Sequence, residues 1–299
     1  MWRFVHITDP HLASERDGVW NNRFLCSMMP EVMACLKRDL QRLQPEFLIV
    51  SGDIVSHNTE EAVLQARDAI ESLGFPYYPL GGNHDCYSLE SRKWFTDAYA
   101  HRLPDSKTYY SFAHKNIRFF ALDPWWVHND GSLSPEADKN AAKRQQTNLN
   151  NMRWALPEEQ FLWLIKELER TAEKTACAVS HYPFLPVPDR FRRPGYKFGG
   201  NLDNGKKISR ELAAFPKMKM VLSGHIHTNS IQRFQGIYHV TTSALPEYPV
   251  EFRIVDVYRN RWEIKTQALS DSSFAERSLR PGHSYTAGTT RDRQATIYL

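Results

Sequence analysis

Asp9 with His11, Asp53, Asn83 with His84 and Asp85, His181, and finally His225 with His227 follow one another along the chain, each just past a hydrophobic run. Carboxylate, amide and imidazole donors without any thiolate are hard or borderline ligands. Such a set suits first-row divalent cations such as Mn, Fe, Zn, Co or Ni rather than copper(I) or an iron–sulfur cluster. The chemistry open to it is Lewis-acid activation and hydrolysis.

Side chains this far apart in sequence can meet only if the runs before them are strands ending at a common rim. Five stretches qualify: residues 2–8, 47–50, 77–80, 176–179 and 218–222. Between the first three, residues 31–43 carry apolar side chains at Val32, Met33, Leu36, Leu40 and Leu43. Residues 59–73 do the same at Ala62, Val63, Ala66, Ile70 and Leu73, with Gly74 as a stop. Helical periodicity between strand-like runs predicts parallel β-α-β units. Residues 109–112 and 117–122 read as further short strands, and Pro157 opens a helix whose Phe161, Leu164, Ile165 and Leu168 share a face. Strand-like runs at 240–242, 252–257 and 262–264 complete the order, which two sheets packed face to face and flanked by helices accommodate best. Residues 123–151 read as a long, polar, irregular insertion near the site, with a basic run at 139–144.

The pattern D-x-H (Asp9, His11), G-D (Gly52, Asp53), G-N-H-D (Gly82, Asn83, His84, Asp85), a lone His181 and G-H-x-H (Gly224, His225, His227) resembles the calcineurin-like metallophosphoesterase superfamily over roughly residues 1–270. Any one element is weak, and five in the family's order are strong. The resemblance implies an α/β fold, an αββα sandwich of two packed mixed β-sheets flanked by helices, and two divalent metal ions. Carried over residue by residue, Asp9, His11 and His227 hold the first metal, Asn83, His181 and His225 the second, and Asp53 bridges both. It also implies attack by a metal-bridging hydroxide, with the catalytic His84 near the leaving group and Asp85 as its orienting partner. Residues 1–270 would form the catalytic domain and 271–299 a tail docked on it or on a partner subunit.

Within the superfamily, the arginine expected after G-D-x-V-D in protein serine/threonine phosphatases is absent from Gly52-Asp53-Ile54-Val55-Ser56-His57. The helix opening at Leu156-Pro157-Glu158-Glu159 and the segments Thr241 to Leu245 and Tyr248 to Arg253 are similar to bacterial class III cyclic nucleotide phosphodiesterases, so the expected substrate is a cyclic nucleotide or a similar small phosphodiester. Ser56 in place of an acidic residue and the length of residues 123–151 depart from that pattern. Two alternatives stay open. One is a pyrophosphatase for a nucleotide-linked lipid precursor, met by Arg190, Arg192, Arg193 and Lys197. The other is a protein-binding scaffold that has lost catalysis.

Blander readings stand beside these. Asp53 could cap the following helix, Asn83 could occupy a left-handed turn, His181 could be a core histidine, and Trp125-Trp126 reads first as packing and second as a stack for a base. The 299 residues carry a formal charge of only +4, mixed in sign, and no basic stripe with interleaved aromatics, so nucleic acid is not the expected partner. No apolar run is long enough for a membrane span and no signal region opens the chain, so the expected compartment is the cytoplasm, with a homodimer among the assemblies left open. Cys26, Cys35, Cys86 and Cys177 lack C-x-x-C spacing and read as reduced.

Overall fold

The structure, a computed structural model, describes residues 1–138 and 152–299. The basic run at 139–144 and the Asn/Gln-rich stretch after it lie outside the described residues. Twelve strands build two six-stranded sheets. The first contains β1 (Trp2–Ile7), β2 (Phe47–Ser51) and β3 (Tyr77–Leu80), then β10 (Glu251–Val257), β11 (Arg261–Ala268) and β12 (Gln294–Tyr298), in the order β12-β11-β10-β1-β2-β3. The second contains β4 (Tyr110–His114), β5 (Ile117–Leu122), β6 (Thr175–Ser180), β7 (Met218–Ser223), β8 (Ser230–Phe234) and β9 (Ile237–Thr241), in the order β8-β9-β7-β6-β5-β4. Both are mixed: β1-β2-β3 and β5-β6-β7-β9 are parallel, and the remaining pairings are antiparallel.

The alternation of strand side chains explains the layers. In β5, Ile117, Phe119 and Ala121 join the large core shared with the first sheet, while Phe120 and Leu122 face a second core with Leu164 and Leu168 of α3 (Glu158–Arg170) and Ile208 and Leu212 of α4 (Gly205–Leu212). In β7 the pairing to β6 shifts between Ala176 and Cys177, so Lys219 is an extra residue. That bulge puts Met218 and Met220 on opposite sides despite their like parity. Helices α1 (Met29–Leu43) and α2 (Glu60–Glu71) bury Val32, Met33, Leu36 and Leu40, and Ala62, Val63, Ala66 and Ile70, in the larger core with β1 and β2. The cap of α2 is Thr59, whose hydroxyl accepts the Ala62 N–H at 3.2 Å, so Asp53 does not serve as that cap.

One expectation needs correction. The described part of residues 123–151 is not irregular: Trp125–Val127 pairs antiparallel with both Leu133–Ser134 and Trp154–Ala155. Trp126 drives this, being 4% exposed, packed on Trp154 at 5.2 Å, and donating its indole N–H to the Cys86 carbonyl at 3.2 Å. The polar tail also folds, because β12 extends the first sheet and buries Ile297 at 2% exposure.

Candidate metal centre

Each motif lies one to three residues past the carboxyl end of a parallel strand, where open α/β sheets place ligands. Backbone hydrogen bonds fasten these tips together: Asp9 N–H to the Gly52 carbonyl, His11 N–H to that of Asp53, and Gly224 N–H to that of His181, at 3.0, 3.0 and 2.9 Å. Asp9, His11, Asp53, His225 and His227 all have positive φ, at 49°, 43°, 45°, 66° and 48°. Left-handed backbone is uncommon for non-glycine residues and clusters where surrounding structure enforces it. Asn83 does not share it, so the left-handed turn that its residue type allows is not its role here. At Gly52, with φ +91°, an added Cβ would lie 2.6 Å from His181 Nδ1, and at Gly224 it would overlap Thr8 and Asp9. Only glycine lets these loops pass so close to the site.

The donor atoms converge. Three sets lie with ligand atoms within 4.8 Å of one another: Asp9, His11 and His227; His11, Asp53 and His84; and Asp53, His181 and His225. His227 Nε2 is 3.1 Å from Asp9 Oδ1, His181 Nε2 is 3.3 Å from Asp53 Oδ2, and His181 Nε2 is 3.3 Å from Asn83 Oδ1. In three of the histidines one ring nitrogen is tied back into the protein. His181 Nδ1–H donates to the Ser51 carbonyl at 2.9 Å, His225 Nε2–H to the Gly199 carbonyl at 2.9 Å, and His227 Nδ1–H to Glu247 at 2.7 Å. Metal-ligating histidines are held in this manner, which fixes the tautomer and turns the free lone pair into the site. His11 Nε2 is buried without a hydrogen-bond partner, with Asp53 Oδ2 4.0 Å away. An orphaned imidazole nitrogen among two carboxylates is a costly arrangement for a core and a natural one for a cation site, so this donor set fits a pair of divalent metal ions.

The electrostatics agree. Burial pushes His11 and His225 down to about 3, leaving both lone pairs free. Against burial, Asp53 and then Asp9 hold His181 up to about 9, and Asp9 and Glu247 hold His227 up to about 10. Burial alone would raise the Asp9 and Asp53 carboxyls, yet their histidine partners keep both well below the usual range. Were His181 and His227 to ligate metal, uptake at pH 7 would expel one proton from each. Isothermal titrations of Zn²⁺ or Mn²⁺ in buffers of different ionisation enthalpy should report about two protons released, with affinity rising as pH approaches 9. In the metal-free protein the same ion pairs stabilise the fold fully below the ordinary histidine value of 6.5, and that contribution fades as pH rises through about 9 and 10.

His84 is half-buried beside the cluster, with its backbone N–H donating to Asp53 Oδ1 at 2.8 Å and its ring 4.9 Å from that of His11. Its orienting group is not Asp85: His84 Nδ1–H donates to the Ser56 carbonyl at 2.9 Å. Asp85 instead accepts the N–H groups of Gly82, Ile54 and Val55 at 2.8, 3.0 and 3.0 Å. Burial, and next the Asp53 charge, push its carboxyl up to about 6. It ties the Asn83 loop to the Asp53 loop, a task that backbone donors at buried positions require.

A cavity of about 350 Å³ opens on the cluster, lined by His11, Asp53, Asn83, His84, His225 and His227 and by the apolar Val19, Trp20, Phe24, Met152 and Trp154. The Trp125-Trp126 pair takes no part in it. Arg190, Arg192, Arg193 and Lys197 do not line it either. Arg190 pairs with Asp292, Arg192 with Asp189 at 3.1 Å, Arg193 lies over the Tyr285 ring at 4.5 Å, and Lys197 lies over the Trp20 ring at 5.2 Å. Sequence reasoning missed Glu247, the Ser51, Ser56 and Gly199 carbonyls, and the aromatic wall. The ligand spacing carried no trace of them.

The Calcineurin-like phosphoesterase family profile matches residues 3–229, and the chain belongs to that family. It is a metal-dependent phosphoric ester hydrolase. It is 24% identical over 282 residues to a 3′,5′-cyclic-nucleotide phosphodiesterase of Nostoc, covering 89% of this chain and 91% of that one. It is 22% identical over 247 residues to a probable glycerophosphodiester phosphodiesterase of Arcobacter nitrofigilis, covering 82% and 79%. A dimetal phosphatase from Danio rerio superposes with a TM-score of 0.70 at 17% identity, covering 99% and 98%. Among the described residues, no helix is long and apolar enough to cross a membrane.

Proposed function

We propose that this chain hydrolyses a small phosphodiester bearing a flat organic substituent, a cyclic nucleotide being the leading candidate. Asp9, His11 and His227 would hold one metal, Asn83, His181 and His225 the other, and Asp53 both. Bound divalent cations supply a Lewis acid for the phosphoryl oxygens and a water acidified towards neutrality. The protein's own share is positioning. The tied-back histidines keep their lone pairs aimed inward, and Asp53 both faces His181 and fixes the backbone of His84. Half-buried at the cavity, His84 is placed to donate to the leaving oxygen through Nε2.

The observation that carries the diester is the cavity's polarity. Arg16, an exposed side chain, is its one lysine or arginine among the described lining residues, and beyond the metal-seeking cluster the lining is mainly apolar and aromatic, with Ser14, Ser56 and His57 as its other polar side chains. A monoester brings nearly two negative charges and asks for more cationic partners than the wall provides. A diester brings one charge and two organic groups, one of which can lie on Trp20 and Phe24. The cyclic-nucleotide and glycerophosphodiester relatives support the same class. The lipid-pyrophosphatase reading is weaker, because its proposed arginines are engaged away from the cavity.

The test is a panel of cyclic AMP, bis-p-nitrophenyl phosphate and p-nitrophenyl phosphate with the metal-reconstituted protein. Both diesters should be turned over faster than the monoester. In addition, Trp20→Ala should raise KM for cyclic AMP roughly 10-fold, the worth of one base–aromatic stack, with kcat little changed. A monoester preference, or a KM indifferent to Trp20, would overturn the proposal.

A further inference from the structure

Glu247 lies in no recognised motif, twenty residues beyond His227, and its side chain is fully buried. A carboxylate at that depth is expensive unless its partners are fixed. One oxygen accepts the His227 Nδ1–H at 2.7 Å, and the other accepts the backbone N–H of Asn22. His227 is its one ion-pair partner among the described residues. Asn22 sits in a short hairpin arm, Gly18–Val19 against Arg23–Phe24, that carries Trp20 and Phe24 into the cavity wall. Next to it, the Leu25 N–H donates to the Pro246 carbonyl at 2.8 Å, so two consecutive residues of the Glu247 loop hold the arm.

Asn22 is itself fully buried and passes the restraint outward. Its Oδ1 accepts the Arg280 N–H at 2.9 Å, and its Nδ2 donates to Thr286 Oγ1 at 3.1 Å and to the His283 carbonyl at 3.3 Å. The arm therefore rests with one edge on the metal centre and the other on the C-terminal segment. Phe24 stacks 5.0 Å from the His11 ring and 5.2 Å from that of His227, so a displaced arm would disturb both substrate wall and ligands.

We propose that Glu247 is a positioning residue that locks His227 and the Trp20 arm to a single carboxylate, and that Asn22 extends this relay to residues 280–286. The relay makes the tail part of the active-site architecture: it sets how far the aromatic wall stands from the metal centre. The proposal rests on the reading of His227 as a metal ligand.

The experiment uses the full chain and three variants, Glu247→Gln, Asn22→Ala and His227→Ala. Each is titrated with Zn²⁺ against a chromophoric chelator and followed by amide hydrogen exchange. Glu247→Gln should weaken one of the two metal sites by about 10–100-fold, as loss of an outer partner does, and should speed exchange across residues 19–25. Asn22→Ala, which keeps the backbone N–H to Glu247, should weaken metal binding less than Glu247→Gln does, speed exchange in 19–25 and 280–286, and raise KM for cyclic AMP without a matching fall in kcat. A Glu247→Gln protein with wild-type metal affinities and wild-type arm exchange would overturn the relay, even with a lowered Tm. If His227→Ala also left both affinities intact, the ligand assignment itself would fall. Should Glu247→Gln not fold, unchanged arm exchange in Asn22→Ala overturns the proposal on its own.

Discussion

Asp53→Asn is expected to cut kcat/KM on a phosphodiester by about 10³-fold, the several kcal/mol that metal assistance supplies, while the fold survives. The residue is 2% exposed, and it is shared by two of the three donor sets. Its Oδ2 faces His181 at 3.3 Å and His11 at 4.0 Å, and its Oδ1 takes the His84 N–H at 2.8 Å. Asparagine is the informative replacement because it tolerates the left-handed backbone found here, φ 45°. It keeps the shape and one acceptor but lacks the charge that offsets two cations, and its amide N–H₂ opposes whichever donor it meets. Alanine would confound this with the strain of a left-handed β-carbon and an empty buried position. The check is metal content by plasma mass spectrometry together with thermal melting and steady-state kinetics. A variant that melts like the wild type, retains two metals per chain and keeps full activity would remove Asp53 from the proposed centre.

The ligand positions were legible because strands and helices announce themselves by period. Val32, Leu36 and Leu40 at helical spacing, and apolar runs broken abruptly by Gly-Asp, Gly-Asn-His or Gly-His, leave little choice of where the polar tips fall. Glycine at 52 and 224 was readable as a turn signal, and the structure adds its cause, since a Cβ there would collide with His181 or with Thr8 and Asp9. What sequence could not show is which group holds each ligand from behind. Glu247 reaches Asn22 across 225 positions, and His225 reaches the Gly199 carbonyl. No periodicity encodes contacts of that range. A backbone carbonyl has no residue identity to read at all, which is why Asp85 drew the role that belongs to the Ser56 carbonyl. The tail buries few apolar side chains but satisfies its backbone as an edge strand on β11 and further groups on Asn22, Glu251 and Arg253, partners that no local pattern names.

His84→Ala is expected to lower kcat by about 10²–10⁴-fold, the usual worth of a positioned acid, with both metals retained, provided the leaving group is an alkoxide. The Ser56 carbonyl holds Nδ1 as a protonated nitrogen at 2.9 Å, so Nε2 is the edge presented to the cavity. If its role is to supply a proton to the departing oxygen, the penalty must depend on how badly that oxygen needs one. Cyclic AMP expels a sugar alkoxide, a strong base, and should show nearly the whole loss. Bis-p-nitrophenyl phosphate expels a resonance-stabilised phenolate that departs without help, so its loss should be smaller by one to two orders of magnitude. The comparison separates proton donation from two other roles His84 can play. A histidine that stabilises phosphoryl oxygens would cost both substrates alike, and one that ligates metal would lower the metal content first. An equal loss on the two diesters with intact metals would therefore assign His84 to charge stabilisation. A loss confined to cyclic AMP would assign it to the leaving group, the role proposed for it.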